Sequence, residues 1–380
     1  MKGLYLHFFG LNNFSGISKK ITYQIEALKR CGIEMQLCTV EIDKNGTQRR
    51  VCNGIEIDNF GNGFLAKFGK WIFFRNLTRY ILENNINFLY IRSFYNANLL
   101  LLKMFSKLKR EGVKIVMEYP TYPYDLETKS EHIRYQPIFF LNRIYRRSLS
   151  GKIDGIVTFT DLAEIDGVKC VNISNAIDFK SIKLSERPIY DGKVFSMIAV
   201  AEVHFWHGYD RIIEGLKAYY SNGVPKVEVH FNVVGEGSIP DRDALIKLTS
   251  KLSMEKYVHF HNNQYGEALD VLFSHNHFAI ASLARHRTGI TNIKTLKNRE
   301  YAARGISFAY SESDDDFDKM PYVYKILPND SPIEIESLLD FYINLKVSPQ
   351  EIRSSIEGKL SWDIQMKKVV NSVGIDLKES

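Results

Sequence analysis

The chain has few cysteines and no long apolar run, and both absences narrow what it can be. Its 380 residues include only four cysteines, and these show no metal-ligand spacing. We therefore expect reduced thiols in a cytoplasmic protein. No run of 18 or more apolar residues occurs, so the sequence predicts no membrane-spanning helix. The short apolar run at the N-terminus is typical of a buried first strand rather than of a signal peptide.

Several catalytic signatures are absent as well. The sequence has no P-loop, no Cys-x-x-Cys and no Ser-x-Gly elbow, and its ten histidines lack metal-ligand spacing. The run Asp314-Asp315-Asp316 could suggest an acidic metal site, but its polar surroundings favour a solvated loop. No nucleic-acid-binding motif is found. We therefore predict neither a bound metal nor a nucleic-acid partner.

The composition is that of a soluble globular protein, with an uneven charge. Hydrophobic residues make up 45% and charged residues 25% of the chain. Residues 1–178 hold 25 Lys and Arg against 17 Asp and Glu, whereas residues 179–380 hold 25 against 27. The N-terminal half therefore carries the whole positive excess, which is typical of proteins that meet an anionic ligand or surface.

Short apolar runs alternate with helical patterns along most of the chain, and this alternation predicts an α/β protein. It includes predicted strands at 88–92 and 258–261, a predicted helix at 64–83 and an antiparallel turn at Asn53-Gly54. The alternation pauses in a polar segment at 179–195 and then begins again. We expect two Rossmann-like, doubly wound domains, at 1–178 and 193–361, that face a central cleft. A last helix at about 362–380 would pack back on the first domain. Ligands of such folds bind at the carboxyl ends of the strands.

The most informative segment is the basic, glycine-containing stretch 284–305, which leads into a helix. Arg287, Lys294 and Lys297 surround the predicted helix start, and Glu300 follows. Cations there oppose the helix dipole, so the pattern does not serve helix stability. A helix start also offers free N–H groups to an anion. The segment therefore predicts a diphosphate site, with Glu300 accepting hydrogen bonds from sugar or ribose hydroxyls.

Two further loops of the second domain are predicted to lie at the same sheet edge. The segment 206–211 follows a strand and contains His207 and Arg211, which could meet a phosphate; alternatively, it merely shapes a helix start. Gly235-Glu236-Gly237 follows the next strand. Glycines at such positions allow a backbone to approach a ligand closely.

The first domain offers a candidate sugar-binding site. The loop 10–16, which ends at Gly16, follows strand one without G-x-G-x-x-G spacing, which disfavours a dinucleotide site. The segment 118–127 is rich in proline and tyrosine and follows a strand that lies next to the one ending in Arg92. We expect sugar stacking and hydroxyl binding there, or else a rigid packed loop. The candidate residues of this site, to which the family resemblance below assigns acceptor binding, are Gly16, Arg92, Glu118, Tyr119, Tyr122 and Glu127.

A basic aromatic helix is predicted at 138–149. Helical spacing places its aromatic and basic residues on the face opposite the apolar one. Such a face is typical either of a surface that binds the membrane interface or of a solvent-exposed basic surface. The residues of this face are Phe139, Phe140, Arg143, Arg146 and Arg147.

Together these segments resemble the family 4 glycosyltransferases of the GT-B fold, over nearly the whole chain. The resemblance rests on the Gly16 loop, on Asn175-Ala176-Ile177-Asp178, on Gly235-Glu236-Gly237, and on Glu300 within 299–305. His207–Arg211 and Leu296–Tyr301 are similar to motifs of bacterial members. The family transfers a sugar from a nucleotide donor to a hydroxyl with retention of configuration, without an active-site metal.

The resemblance also implies site residues. Catalytic roles would fall to Arg287, Lys297 and His207, which meet the diphosphate. Glu300 would hold the ribose and Asn262 would meet the base. The implied donor-binding residues are Glu300, Gly235, Gly237, Asn262, Arg211, Asn292 and Thr295. The donor would be a nucleotide-sugar, foremost a UDP-sugar, with no further cofactor. The acceptor would be an oligosaccharide or a lipid-linked intermediate of bacterial surface polysaccharide or O-antigen synthesis, used at the inner face of the cytoplasmic membrane.

The chain departs from the family pattern at several positions. Asn292 stands where the first Glu of the Glu-x7-Glu pattern would fall, and His207 replaces the usual Lys. The strand that often ends in His-x-His-Glu here reads Tyr90-Ile91-Arg92-Ser93. Two alternatives therefore stay open: a sugar-nucleotide epimerase of the same fold, and a non-catalytic sugar-nucleotide-binding protein.

Overall fold

The computed structural model describes residues 1–11, 16–63, 66–125, 128, 133–221, 223–237 and 239–375. The chain forms two compact units, one of residues 1–174 with 362–380 and one of residues 175–361. Residues 175–192, of which we assigned 175–178 to the first domain, thus belong to the second unit. Both units are built on a largely parallel sheet with helices, which confirms the α/β class.

The first unit contains a nine-stranded sheet with the order β4-β3-β2-β1-β5-β6-β7-β9-β8. Its strands are β1 (Lys2–Leu6), β2 (Glu34–Ile42), β3 (Gln48–Cys52), β4 (Ile55–Gly61), β5 (Phe88–Arg92), β6 (Lys114–Tyr119), β7 (Gly155–Thr158), β8 (Glu164–Ile165) and β9 (Val168–Asn172). The central strands are parallel, and all five residues of β5 are buried, as expected for a strand covered on both faces.

Helices cover this sheet: α1 (Gly16–Arg30), α2 (Ala66–Ile72), α3 (Arg75–Glu83), α4 (Leu99–Arg110), α5 (Gln136–Tyr145) and α12 (Trp362–Ser372). The predicted helix 64–83 is in fact two helices, because it breaks at 73–74. The predicted helix 138–149 ends at Tyr145 and continues as a 3-10 turn. In α12, Trp362 is buried, and the side-chain oxygen of Gln365 accepts a hydrogen bond from Ser174 N.

A hairpin joins β3 and β4, as the sequence predicts at Asn53-Gly54. Both turn residues have positive φ, 50° and 81°, which matches the twist of a two-residue hairpin turn. Beside the hairpin, Cys38 and Cys52 lie opposite each other on β2 and β3 and form a disulfide. Our expectation of four free thiols was therefore wrong, because strand pairing brings together two cysteines whose sequence spacing shows no pattern.

The second unit has a six-stranded parallel sheet with the order β12-β11-β10-β13-β14-β15. Its strands are β10 (Val194–Val200), β11 (Glu228–Val234), β12 (Val258–His261), β13 (Phe278–Ile280), β14 (Phe308–Tyr310) and β15 (Val323–Lys325). Its helices are α6 (Tyr209–Ser221), α7 (Ile239–Lys251), α8 (Gly266–Ser274), α9 (Leu296–Ala303), α10 (Ile335–Asn344) and α11 (Pro349–Glu357).

Candidate active site

Three loops of the second unit leave the carboxyl ends of neighbouring parallel strands. One follows β10, one follows β13 and leads into α9, and one follows β14. Because these strands pair in parallel, their loops emerge at one sheet edge. Gly208, with φ of 66°, brings the first two loops together: a Cβ there would lie 2.8 Å from Ala284 Cβ. His207 O accepts a hydrogen bond from Leu283 N, which fixes this contact.

His207 and Lys297 meet at this edge, as the sequence predicts. His207 is 2% exposed, and its Nε2 lies 2.5 Å from Lys297 Nζ. Its Nδ1 accepts a hydrogen bond from His204 N. Burial lowers the pKa of His207 well below its usual value. The ring is therefore neutral, and its single proton is on Nε2.

This tautomer determines the state of the lysine. Since His207 Nε2 carries a proton, it donates to the lone pair of a neutral Lys297 amine. Burial, reinforced by the charge of Arg285, lowers the pKa of Lys297 to about 7, which agrees with this hydrogen bond. Lys297 is thus an amine that takes up a proton when an anion arrives.

Glu312, which the sequence analysis missed, lies close enough to Lys297 for each charge to influence the pKa of the other. The side chain is 2% exposed, and neither carboxylate oxygen has a hydrogen-bond partner in the described part of the chain. Burial raises the pKa of Glu312 to about 7. A buried carboxyl without partners is costly, and such groups concentrate at functional sites. Its position directly after β14 was the available signal.

Helix α9 presents its N-terminus beside Lys297. Thr295, predicted to bind the donor, is the N-cap, and its Oγ1 accepts a hydrogen bond from Asn298 N. Arg299 anchors the helix, because it is fully buried and ion-paired with Asp314 at 2.6 Å. Asp314 is itself fully buried, so our assignment of the acidic run to a solvated loop was wrong for this residue, whereas Asp315 is exposed as expected. Arg299 also pairs with Asp316.

Two predicted phosphate ligands are engaged elsewhere. Arg287 forms ion pairs with Asp210 and Asp330, each at 2.7 Å, and it donates to Phe205 O. Arg211 is 2% exposed, and its guanidinium donates to backbone carbonyls that include Leu283 O. The structure therefore gives both arginines a role in holding loops, and it does not bring them to His207 and Lys297.

The sequence pattern attributes Gly235 and Gly237 to the close approach of a ligand. In the structure, both glycines allow the close approach of another loop. A Cβ on Gly235 would lie 2.0 Å from Ala201 O, and one on Gly237 would lie 2.1 Å from Val203 O. The loop after β10 therefore passes directly over both residues. A role of these glycines in donor binding stays a prediction.

The other predicted donor residues lie on the surface of the second unit. Glu300 is partly exposed and pairs with Arg304 at 3.0 Å. Asn262 follows β12 and is exposed. Asn292 is exposed and bridges to Ser313, next to Glu312. Their donor contacts stay predictions.

In the first unit, Arg92 and Glu118 come together, as expected from adjacent strands, but they belong to a closed network. Glu118 is fully buried and pairs with Arg92 and, at 3.2 Å, with Lys20. Its other oxygen accepts hydrogen bonds at 2.6 Å from Gln24 Nε2 and Tyr90 OH. Burial alone would raise its pKa, but Lys20 and Arg92 hold the pKa of Glu118 at about 2. Glu118 has no free oxygen for an acceptor, contrary to our interpretation.

The remaining predicted acceptor residues are scattered. Tyr119 is 1% exposed and packs on the rings of Tyr95 and Tyr124, so it is a core residue rather than a sugar platform. Tyr122 is partly exposed. Gly16 is the exposed first residue of α1. Glu127 lies outside the described residues.

The predicted membrane face of α5 needs a correction. Phe139 is 2% exposed and packs on Phe94, and Arg146 forms ion pairs with Asp125 and Asp166. These two side chains therefore do not belong to an exposed face, because the helix is rotated from the predicted orientation. The exposed apolar residues are Ile133, Phe140, Leu141 and Ile144, with Arg143 and Arg147 also exposed.

Comparison with known proteins identifies the fold. No family model and no curated protein matches the sequence. The structure, however, is similar to sucrose-phosphate synthase from Thermosynechococcus elongatus, at 11% identity, with 97% of each chain covered and a TM-score of 0.67. It is also similar to a glycosyltransferase from Rickettsia africae, at 12% identity, with 100% and 99% covered and a TM-score of 0.63. The chain has the GT-B fold.

A third structure of this GT-B fold, Anabaena HepE in complex with UDP, is 10% identical, with 98% and 99% of the chains covered and a TM-score of 0.62. At such identities the likeness establishes the fold alone. Among the residues that the structure describes, no helix is long and apolar enough to cross a membrane. Within the same ranges, no group of three His, Cys, Asp or Glu is placed to hold a metal ion.

Proposed function

We propose that the protein is a glycosyltransferase that uses a nucleotide-sugar donor, bound at the edge of the second unit. The observation that carries this proposal is the convergence of the neutral Lys297, His207 and the unpartnered Glu312 beside the start of α9. A bound diphosphate favours protonation of Lys297, which then pairs with it, and sugar hydroxyls supply the hydrogen bonds that Glu312 lacks. HepE of the same fold holds UDP, and also UDP-glucose, which supports a UDP-sugar as the donor.

The chemistry assigned to these residues is electrostatic. The bond between the sugar C1 and the diphosphate oxygen breaks, and negative charge accumulates on the departing diphosphate. Lys297, protonated by then, and the N–H groups of α9 stabilise that charge. The acceptor oxygen bonds to C1 on the face that the diphosphate leaves, its proton passes to the phosphate, and configuration is retained. None of these steps uses a metal ion.

We propose an oligosaccharide or lipid-linked acceptor, in bacterial surface polysaccharide or O-antigen synthesis. The support comes from the first unit, where the apolar surface of α5 is flanked by Arg143 and Arg147 and the surrounding half of the chain is basic. Such a surface suits the anionic inner face of the cytoplasmic membrane. The protein would then be a cytoplasmic enzyme bound peripherally to that membrane.

The donor is identified by screening the protein against UDP-, GDP-, dTDP- and ADP-sugars, with thermal stabilisation and nucleoside diphosphate release followed together. One donor class should stabilise the protein and release diphosphate when an acceptor is supplied. Lys297→Met should slow release by at least about tenfold, since loss of one charge-stabilising group typically costs that much or more. The exposed Lys319 of the same unit gives the matched control, Lys319→Met.

Three other outcomes of this screen would contradict the proposed activity or the proposed site. Stabilisation without release, even with a lipid-linked acceptor, would identify a binding protein and overturn the transferase. Conversion of the donor into an isomeric sugar nucleotide would identify an epimerase. If Lys297→Met and Lys319→Met behaved alike, the site assignment would be wrong.

A further inference from the structure

An aromatic cluster lies at the carboxyl edge of the first unit's sheet, beyond β1 and β5. The rings of Phe9 and Phe94 meet at 4.8 Å, and Phe94 also contacts Tyr135 at 5.2 Å. All three rings are partly exposed, and we call them the aromatic platform. Trp71 of α2 stacks beneath Phe94 at 4.9 Å and is buried. Exposed aromatic rings of this kind suit the apolar face of a sugar.

Lys70 lies beside this platform as a buried cation without a counter-charge. It is 5% exposed, and its Nζ lies 4.1 Å from the ring centre of Phe9 and 4.8 Å from that of Trp71. Within the described ranges, no carboxylate or other hydrogen-bond acceptor contacts it. Burial, and then the charge of Arg134, lowers the pKa of Lys70 to about 8, so it is still mostly protonated at neutral pH.

Other buried cations of the same unit are paired. Arg50 is fully buried and forms an ion pair with Asp58 at 2.5 Å, and Lys20 and Arg92 share Glu118. Removing a charge from water without pairing it is expensive. Lys70 therefore differs from these ion-paired cations. An anionic ligand would offset the free-energy cost of burying its charge.

The surroundings of Lys70 strengthen the case for an anion. Burial lowers the pKa of His7 to about 4, and the charges of Arg92 and Lys70 add to this shift while Glu118 opposes it. The His7 Nδ1 is buried and has no hydrogen-bond partner, which leaves one more polar atom for a ligand. Glu118, the carboxylate that acts on His7, is already occupied by Lys20 and Arg92.

We propose that Lys70 and the aromatic platform bind an acidic saccharide: a sugar whose ring stacks on the platform and whose carboxylate or phosphate pairs with Lys70. This inference rests on the proposed glycosyltransferase function, and it makes the acceptor an anionic glycan rather than a neutral one. Carboxylate and phosphate both present negatively charged oxygen atoms to Lys70. Titration with one acidic sugar of each kind distinguishes between them.

The test is a binding titration of the full chain, without any nucleotide, followed by thermal stabilisation or calorimetry. The probes are glucuronate, glucose 6-phosphate and neutral glucose, with acetate and inorganic phosphate as anions that lack a ring. One of the two acidic sugars should bind at least about tenfold more tightly than glucose and than its ringless anion. Lys70→Met should weaken that binding at least about tenfold, as expected for loss of a buried charge partner.

The matched control is Lys67→Met on the same helix, since Lys67 is exposed, and it should bind like the wild type. Methionine is similar in length to lysine and removes the unpaired buried charge, so the Lys70 variant should fold; a melting temperature without ligand that is equal to or above that of the wild type verifies this. The proposal would be overturned if glucose bound as tightly as the acidic sugars. It would also be overturned if Lys70→Met and Lys67→Met lost equal affinity for the acidic sugar. Lys70-dependent binding of an acidic sugar in a protein that binds no nucleotide-sugar would sustain this inference while refuting the proposed function.

Discussion

The hydrogen bond between His207 Nε2 and Lys297 Nζ has a consequence for how a ligand binds. Because the imidazole donates, the lysine cannot be charged while this bond persists. A diphosphate needs a cation, so its arrival must protonate Lys297, whose pKa is about 7. Glu312, with a pKa of about 7, repels the same anion once it ionises. Both groups therefore favour an anion at low pH and disfavour it at high pH.

We expect UDP binding at pH 8 to take up protons, because a free Lys297 is mostly neutral there and the bound one is charged. Calorimetry in HEPES and in Tris should give enthalpies that differ by the buffers' ionisation enthalpies multiplied by the proton uptake. The uptake should approach one proton and should disappear in Lys297→Met. Affinity should fall as the pH rises from 6 to 8.

The variant Glu312→Gln separates the effect of Glu312 on the pH dependence of binding from that of Lys297. It should flatten part of the fall in affinity and leave the proton uptake by Lys297 in place. Equal enthalpies in both buffers for the wild-type protein would show that Lys297 does not change its protonation state on binding.

At the scale of the elements, the exit of β11 and the loop after β10 are interlocked through glycine. The Cβ of any larger residue at 237 would lie 2.1 Å from Val203 O and 2.5 Å from Val203 N. Backbone atoms cannot withdraw as a flexible side chain can, so the strand exit or the loop would have to move. This loop leads to His207. The position of His207 therefore depends on Gly237, which follows a different strand.

Gly237→Ala should destabilise the protein by about 2–4 kcal/mol, the range of a severe steric error in a packed region. Chemical denaturation followed by circular dichroism measures it. Gly358→Ala is the control, because nothing lies within 4 Å of its Cβ and it does not have a positive φ; its effect should stay within about 0.5 kcal/mol. Equal stabilities of the two variants would show that the contact can relax without cost.

The sequence predicted elements well where an apolar run and a turn signal coincide. β5 and β12 have the predicted bounds, and the Asn53-Gly54 turn lies where expected. The three-residue β15 was missed, since it is too short to show periodicity. For the site, His207 and Lys297 were identifiable because both stand out chemically. Glu312 and Asp314 were not, since burial of an acidic residue depends on packing between β14 and α9 rather than on local composition.

At the scale of the whole molecule, positive charge is concentrated in the N-terminal half of the chain, where α5 also has adjacent exposed apolar residues. Phe140 is 61% and Ile144 54% exposed on α5. Single exposed apolar residues need no explanation, but neighbouring ones flanked by the exposed Arg143 and Arg147 are typical of an interface with anionic lipid.

Replacing Phe140 and Ile144 together by Ser should reduce co-sedimentation with vesicles that contain phosphatidylglycerol by at least about tenfold, since apolar burial and charge attraction act together at such surfaces. Val224→Ser is the control, because Val224 is 99% exposed on the other unit. Undiminished sedimentation of the double variant would exclude α5 as the membrane contact.

The placement of α12 has a consequence for synthesis on the ribosome. Residues 1–174 emerge first, yet their unit also needs Trp362 and Gln365, which are translated after the whole of 175–361. Domains usually fold in the order of their synthesis. Here the later-translated unit acquires all its residues before the earlier one does, so the nascent first unit must wait with the surface of α1 that α12 covers still open to the solvent.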